Sequence, residues 1–335
     1  MTWLGSIGQA IAGGVTDALD VAARLGVDPT FVRDKLGTRS LPRLQQGFGT
    51  ADLAVEAVRD ALSRWAGDTG QLRVLVVCTQ SPDGEGLPHT AAIVQQRVGL
   101  ARNLAAFDIS LGCSGYVYGL AVVEGMLHST GGYGLLVTAD PYSRMINPDD
   151  RDTALLFGDA ATATILGPEG AWCLGARRFA TDGSGAAALE RRGGRFHMAG
   201  RQVFNFAATR VPEQLSELLC SEALEPRDID QWILHQGSRY IVETIANRMG
   251  LPLDRVPVAL ERTGNTVSSS IPLILRHCGD RPDLRRIVLS GFGVGLSWAS
   301  MILTREANDG STKGGQASNL IGVGGKHVPQ RGARE

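Results

Sequence analysis

Short apolar runs alternate with helical patterns along most of the chain, and this alternation limits the fold more than any other feature. Six runs predict strands: VLVVCT (74–79), AAFDIS (105–110), YGLLVTAD (133–140), ATATILG (161–167), QWILHQ (231–236) and RRIVLSGF (285–292). Four further segments have helical periodicity, at 51–65, 89–100, 114–130 and 206–224. Buried strands separated by helices are typical of parallel sheets. The pattern therefore predicts a layered α/β fold.

A change of pattern near Gly167 divides the chain. Residues 170–200 are rich in Gly, Arg and Ala without a clear period, and the alternation then resumes in the same order of elements. This predicts an N-terminal half (1–168) and a C-terminal half (169–306). Residues 307–335 have no periodicity, which is typical of a disordered tail. The opening MTWLGSIGQAIAGG has no basic leader and is interpreted as a first strand and turn, not a secretory signal.

Charge and cysteine usage exclude several classes of protein. The formal charge of −1 over 335 residues gives no whole-chain attraction to nucleic acid or to an anionic membrane. No apolar run reaches the roughly 18 residues that a transmembrane helix needs. Five cysteines, at 78, 113, 173, 220 and 278, form no CxxC pair, so neither a metal site nor a disulfide framework is expected. We expect a reduced, cytoplasmic protein with one functional thiol.

That thiol is predicted to be Cys113, in the segment FDISLGCSGYVYGL (107–120). The cysteine stands where a predicted strand changes to a predicted helix. A helix N-terminus presents unpaired N–H groups and the positive end of the helix dipole, which lower the pKa of a thiol. Gly112 and Gly115 leave room for close packing and for a substrate. The alternative is a small buried residue that fills a tight turn.

Three further features complete a candidate site. His235 ends the buried run QWIL and leads into QGSRY, where its side chain can enter a cleft and partner a nucleophile. Asn265, in RTGNTVSSS, can serve the turn itself or present a neutral amide to a site. The Gly-rich turn SGFGVGLSW (290–298) follows a strand and can aim backbone N–H groups at a developing oxyanion.

The segments LGCSG, ILHQ, RTGNTVSSS and GFGVGLSWAS, in this order and spacing, resemble β-ketoacyl-acyl-carrier-protein synthase III. NPDDRDTALLFGDAATATIL (147–166) and HMAGRQVFNFA (197–207) extend the resemblance, which runs from about Ser6 to Arg305. It implies the thiolase fold, with duplicated βαβαβ halves in a five-layered α-β-α-β-α architecture. It also implies decarboxylative Claisen condensation of an acyl-CoA primer with a malonyl-acyl-carrier protein, without a further cofactor.

The same resemblance assigns roles to individual residues. Cys113 is expected to be the acylated nucleophile, and His235 and Asn265 are expected to support decarboxylation and stabilise the enolate. The backbone N–H of Cys113 and a backbone N–H near Val294 and Gly295 would form the oxyanion hole. The coenzyme A or pantetheine chain would contact six residues: Phe31, Lys35, Arg151, Gly200, Phe204 and Ser238.

Two departures from the family pattern indicate a specialised member. Phe31 and Lys35 stand where the common initiating enzymes have a tryptophan and an arginine, and LGCSG replaces the more usual ACAG. Ser81, Ser143 and Arg144 could make the acyl pocket polar enough for a dicarboxylyl primer. The alternative places Arg144 at the surface or at an interface.

The resemblance also implies partners. Arg239 and Arg248 are candidates for docking an acidic acyl carrier protein. A homodimer is expected, and a heterodimer with a related subunit stays open. Two other functions are also open at this point: acyl transfer to a hydroxyl, amine or thiol without condensation, and a non-catalytic role in a larger complex.

Overall fold

The structure is a computed structural model that describes residues 1–279 and 281–305. The predicted tail at 307–335 lies outside the described residues. Within the described ranges, the strands are β1 Trp3–Ile11, β2 Gly14–Asp17, β3 Ser40–Arg43, β4 Leu72–Cys78, β5 Ala105–Ile109, β6 Tyr133–Ala139, β7 Ala160–Gly167, β8 Trp172–Thr181, β9 Leu189–Arg192, β10 Arg195–Met198, β11 Gln231–Leu234, β12 Arg286–Gly293 and β13 Ser297–Thr304. The α-helices there are α1 Ala18–Leu25, α2 Pro29–Phe31, α3 Thr50–Ser63, α4 Thr90–Val98, α5 Gly115–Thr130, α6 Gly200–Ser221, α7 Arg239–Arg248 and α8 Ser270–Cys278.

Nine strands form the main sheet, in the order β11-β12-β13-β8-β1-β7-β6-β4-β5. Strand β4 is parallel to both β5 and β6, and β11 is parallel to β12, whereas the other neighbours are antiparallel. The pairing in the middle of the sheet is short, because β1 pairs with β8 only at Trp3 and Leu4. The sheet therefore consists of two portions, β1/β4–β7 and β8/β11–β13.

Helices cover both portions and fill the space between them. Helices α3 and α4 pack on the first portion, and α6 packs on β8, β12 and β13 with α7 beside it. Helices α5 and α8 contact strands of both portions, which places them in the middle. The order is α-β-α-β-α. This confirms the layered α/β class and the five-layered architecture that the resemblance implied.

The six predicted strands and four predicted helices are confirmed, with ends that differ by a few residues. Residues 170–200, which showed no clear period, contain β8 and the hairpin β9–β10. Strand β8 was missed because its second half is only partly buried and carries Arg177, which pairs with Glu124 on α5. No helix among residues 1–279 and 281–305 is long and apolar enough to cross a membrane. The division of the chain at residue 168 stays a prediction.

Candidate active site

Three side chains from distant parts of the sequence line one cavity of about 260 Å³: Cys113, His235 and Asn265. Cys113 lies just before α5, His235 directly follows β11, and Asn265 lies in the turn that leads to α8. All three are buried. The layered fold thus brings the ends of a strand and of two central helices to one point.

Two glycines allow the chain to close around Cys113. A Cβ atom on Gly115 would lie 2.2 Å from the Sγ of Cys78, and one on Gly293 would lie 2.9 Å from the Sγ of Cys113. Both distances are shorter than contacts between real atoms, so a side chain at either position would displace its neighbour. The end of β12 therefore packs directly against the Cys113 sulfur.

The Cys113 thiol is protonated in the resting site. Burial raises its pKa well above the usual range, and the nearby Asp140 carboxylate raises it further. The backbone N–H groups of Cys113 and Val294 oppose this effect but do not outweigh it. The lowering of the thiol pKa that the helix N-terminus predicted is therefore wrong for the free site.

The same two N–H groups lie where the predicted oxyanion hole was placed. Both approach the Sγ of Cys113, and Val294 lines the cavity. Gly295 does not line it, and a Cβ atom there would instead meet Ser297. Of these two residues, Val294 is the one that lines the cavity, and the oxyanion hole itself stays a prediction.

His235 is a neutral imidazole held by one side chain. Its Nδ1 lies 2.8 Å from the Oγ of Ser270, and its ring packs edge-on against Phe292. Burial lowers the pKa of His235 to about 3, although the Val267 backbone acts in the opposite direction. With Nδ1 engaged by Ser270, Nε2 is the nitrogen left for the cavity.

Because His235 is buried as a neutral imidazole, we expect the folded protein to lose stability as the pH falls. The unfolded chain binds a proton at His235 below about pH 6.5, whereas the folded chain resists it until about 3, so acid favours unfolding. From pH 7.5 to 4.5, we expect the stability of the wild type relative to His235→Gln to fall by about 3 kcal/mol. Urea unfolding of both proteins at the two pH values measures this. Parallel pH dependences would contradict it.

Asn265 serves its turn and the cavity together. Its backbone N–H donates to the Leu156 carbonyl at 2.8 Å, and its carbonyl accepts from the Gly158 N–H at 3.0 Å. These two hydrogen bonds form an isolated parallel β-bridge between Asn265 and Phe157. Its side-chain Oδ1 accepts from the Val267 N–H at 2.8 Å. This bond fixes the amide and leaves the Nδ2 group as a donor for the cavity.

All six residues predicted to contact coenzyme A or pantetheine line this cavity: Phe31, Lys35, Arg151, Gly200, Phe204 and Ser238. Phe31, Lys35 and Arg151 are exposed, which marks the outer end. The Ser238 side chain also caps α7 by accepting from the Ile241 N–H. Their roles in binding stay predictions.

Sequence reasoning missed Tyr240 at the same outer end. Its ring stacks on Phe204 with centroids 5.1 Å apart, and the Lys35 ammonium lies 3.9 Å from its centre. The only signal was an aromatic residue five positions after His235, which periodicity does not distinguish from a core residue.

The cavity wall near Cys113 is apolar, and the predicted polar acyl pocket is not part of it. Ser81, Ser143 and Arg144 do not line the cavity. Ser143 donates to Asp159, and Arg144 donates to Asp83 at 2.7 Å with its side chain about two-fifths exposed. Tyr142 faces the cavity instead. The prediction that Ser143 and Arg144 line the acyl pocket is wrong. Successive residues in this turn point in different directions, and the two side chains are held by the carboxylates of Asp159 and Asp83.

The two arginines predicted to dock a carrier protein lie outside the cavity. Arg239 is partly exposed beside Tyr240, and its guanidinium lies 3.6 Å from the Glu243 carboxylate. Arg248 is exposed and donates to the Ala208 carbonyl at 2.9 Å. Docking at this surface stays a prediction. Within the described part of the chain, no group of three or more His, Cys, Asp or Glu side chains is arranged to hold a metal.

Comparisons with known proteins identify the family of this chain. A family model described as 3-Oxoacyl-[acyl-carrier-protein (ACP)] synthase III matches residues 107–183, and the model of its C terminal part matches 219–305. Beta-ketoacyl-[acyl-carrier-protein] synthase III of Deinococcus deserti is 36% identical over 301 residues, 84% of this chain and 85% of that protein. The relative named synthase III 1 from Halalkalibacterium halodurans is 33% identical over 304 residues, 89% of this chain and 96% of its own.

A solved structure gives the same result for the fold. The crystal structure of the synthase III from Thermus thermophilus superposes with a TM-score of 0.84 at 31% identity, covering 91% of this chain and 99% of that one. Both the sequence and the architecture therefore match over most of their length. The chain belongs to the 3-oxoacyl-[acyl-carrier-protein] synthase III family of thiolase-fold, acyl-transferring condensing enzymes.

Proposed function

We propose that this chain transfers the acyl group of an acyl-CoA to Cys113 and condenses it with a malonyl thioester carried by acyl carrier protein. The observation that carries the proposal is the shared cavity of Cys113, His235 and Asn265, in which the Asn265 amide is fixed as a donor. Simple acyl transfer produces no enolate, so it has no use for this donor.

In the first half-reaction, the Cys113 sulfur attacks the acyl-CoA carbonyl. One thioester replaces another, so little net free energy is needed. Because burial keeps the thiol protonated, His235 Nε2 must accept the proton as the carbon–sulfur bond forms. The tetrahedral oxyanion would be held by the N–H groups of Cys113 and Val294.

In the second half-reaction, the malonyl group loses carbon dioxide and its enolate attacks the acyl carbon. The enolate oxygen gains negative charge in the transition state, so donors placed there lower the barrier. A neutral imidazole and a carboxamide suit this position, since neither repels the incoming malonyl carboxylate. His235 stays neutral because of its burial, and Asn265 carries no charge.

We also assign the partners. Coenzyme A would enter past Phe31, Lys35 and Arg151, with no separate cofactor, and the carrier protein would dock near Arg239 and Arg248. A homodimer is favoured by β5, an edge strand of the main sheet whose five residues are all partly exposed. Open strand edges pair readily with another chain.

Intact-protein mass spectrometry with a panel of acetyl, medium-chain, branched and dicarboxylyl CoA thioesters tests the proposal. We expect an adduct on Cys113 that disappears with carbon dioxide release when malonyl-carrier protein is added. Because the described cavity wall is apolar near Cys113, plain acyl chains should react faster than dicarboxylyl chains. An adduct that malonyl-carrier protein leaves unchanged would contradict condensation and indicate acyl transfer to another acceptor.

A further inference from the structure

The proposed condensation consumes one proton, and this proton has to be delivered to the active-site cavity. The malonyl carboxylate leaves as carbon dioxide, the new carbon–carbon bond forms, and the carbon–sulfur bond to Cys113 breaks with its electron pair on sulfur. One proton must then reach that sulfur to restore the thiol. Cys113 is buried, and its anion is disfavoured there, so the delivery has to follow a defined route.

Ser270 is placed to take part in this delivery. Its hydroxyl is buried at the start of α8 and lies 2.8 Å from His235 Nδ1 and 3.0 Å from the Val267 carbonyl. The Gln236 N–H approaches the same oxygen at 3.4 Å. A serine hydroxyl has one proton, so it donates either to Nδ1 or to the carbonyl, but not to both. These two arrangements correspond to the two neutral tautomers of His235.

Behind Ser270 lies a second cleft, of about 420 Å³, which we call the rear cleft. Ser270, Gln236 and Thr266 line it, together with Leu273 and His277, and none of its lining residues belongs to the active-site cavity. Thr266 Oγ1 is buried there and has no hydrogen-bond partner among the described residues. Ser270 therefore contacts the catalytic imidazole on one side and a partly polar, separate cleft on the other.

We propose that Ser270 relays protons between the rear cleft and His235, and through His235 to the sulfur of Cys113; this inference rests on the proposed condensation. During condensation, Nε2 gives its proton to the departing Cys113 thiolate. Nδ1 takes the Ser270 proton, and Ser270 regains one from water in the rear cleft. His235 ends as the Nδ1–H tautomer, with Ser270 now accepting from it and donating to Val267.

The next acylation reverses the relay. The bare Nε2 takes the Cys113 thiol proton, and the Nδ1 proton leaves through Ser270 to the rear cleft. Coenzyme A departs as a thiolate that is protonated in solvent at the outer end. His235 is then the Nε2–H tautomer, which is the form that donates to the enolate. One proton leaves in acylation and one enters in condensation, without a charged imidazole at either stage.

Ser270 is thus a positioning residue, and Ser270→Ala tests it. We expect both half-reactions to slow by about 10- to 100-fold in single-turnover measurements, by analogy with the loss of a group that orients a metal-ligating histidine. Ser270→Thr keeps the hydroxyl and should restore most of the rate. Ser269→Ala is the matched control, because Ser269 contacts Thr138 and Ala160 instead of the imidazole, and it should stay near the wild-type rate.

A spectroscopic measurement separates the relay from a merely structural role. The ¹⁵N shifts of His235 should report the Nδ1–H tautomer in the free wild type and the Nε2–H tautomer in its acyl-enzyme. Ser270→Ala should show one tautomer in both states. The relay is wrong if the His235 tautomer does not change on acylation of the wild type. It is also wrong if the tautomer changes in Ser270→Ala as it does in the wild type.

The origin of the proton is tested by filling the rear cleft with Leu273→Trp. We expect this variant to slow both half-reactions, while the rate of Ser269→Ala does not change. A wild-type rate in a folded Leu273→Trp protein would overturn the rear cleft as the source. A wild type that acylates without condensing would reject the proposed function, whereas a condensing wild type with an unaffected Ser270→Ala would reject only this inference.

Discussion

The Cys113→Ala protein is expected to form no acyl adduct with any acyl-CoA and to have no condensing activity. Among the cysteines of the described chain, Cys113 alone lines the active-site cavity, and the N–H groups of Cys113 and Val294 lie at its sulfur. Removing the sulfur removes the atom that we propose to be acylated, so the loss should be complete within detection. Intact mass after incubation with the preferred primer measures the adduct, and product formation from malonyl-carrier protein measures turnover.

Cys220→Ala is the matched control for this change. Cys220 is exposed on α6 and lies outside the cavity, so its replacement should leave both the adduct and the turnover unchanged. A folded Cys113→Ala protein that still carries the adduct and still condenses would show that another residue is the nucleophile. The whole site assignment would then be wrong.

The second large effect is expected from Asn265→Asp. The carboxylate keeps an oxygen for the Val267 N–H, so the turn should hold, but it loses the amide donor and adds a negative charge. That charge would repel the malonyl carboxylate and the enolate, and loss of one such donor typically costs about 10²- to 10³-fold in rate. Acylation, which needs no donor at this position, should stay within a few-fold of wild type.

Single-turnover experiments on the isolated acyl-enzyme distinguish the two half-reactions. The same chemical change at an exposed position, Asn247→Asp on α7, should affect neither step. If Asn265→Asp slows acylation as much as condensation, the residue acts through the fold of its turn and not as an enolate donor.

The sequence contained enough to single out Cys113, His235 and Asn265 as candidates, because each stands where an element changes, and the family resemblance then grouped them. Cys113 and His235 lie at strand or helix ends, and Asn265 follows a glycine in a turn. Such positions are fixed by local pattern, which a single sequence records. The strand and helix order behind them was equally readable, since buried runs and helical periods are local properties.

The sequence could not predict the orientation of side chains in short turns or the effect of burial on pKa values. Arg144 stands two positions after Tyr142, yet only the tyrosine faces the cavity, and no local pattern gives the orientation of side chains in so short a turn. The helix N-terminus predicted a lowered pKa for Cys113, but burial acts in the opposite direction and is stronger. Ser270 became relevant only when α8 placed its hydroxyl beside an imidazole 35 residues away.

The backbone bridge between Phe157 and Asn265 has a consequence for how substrate preference can change. Leu156 and Phe157 form part of the cavity wall, and the segment 156–158 holds Asn265 through main-chain atoms. The side chains at 156 and 157 can therefore be exchanged while the Asn265 amide keeps its place. Selectivity for the primer and competence for condensation are separable in this scaffold, which makes residues 156 and 157 natural positions for redirecting the enzyme toward other acyl chains.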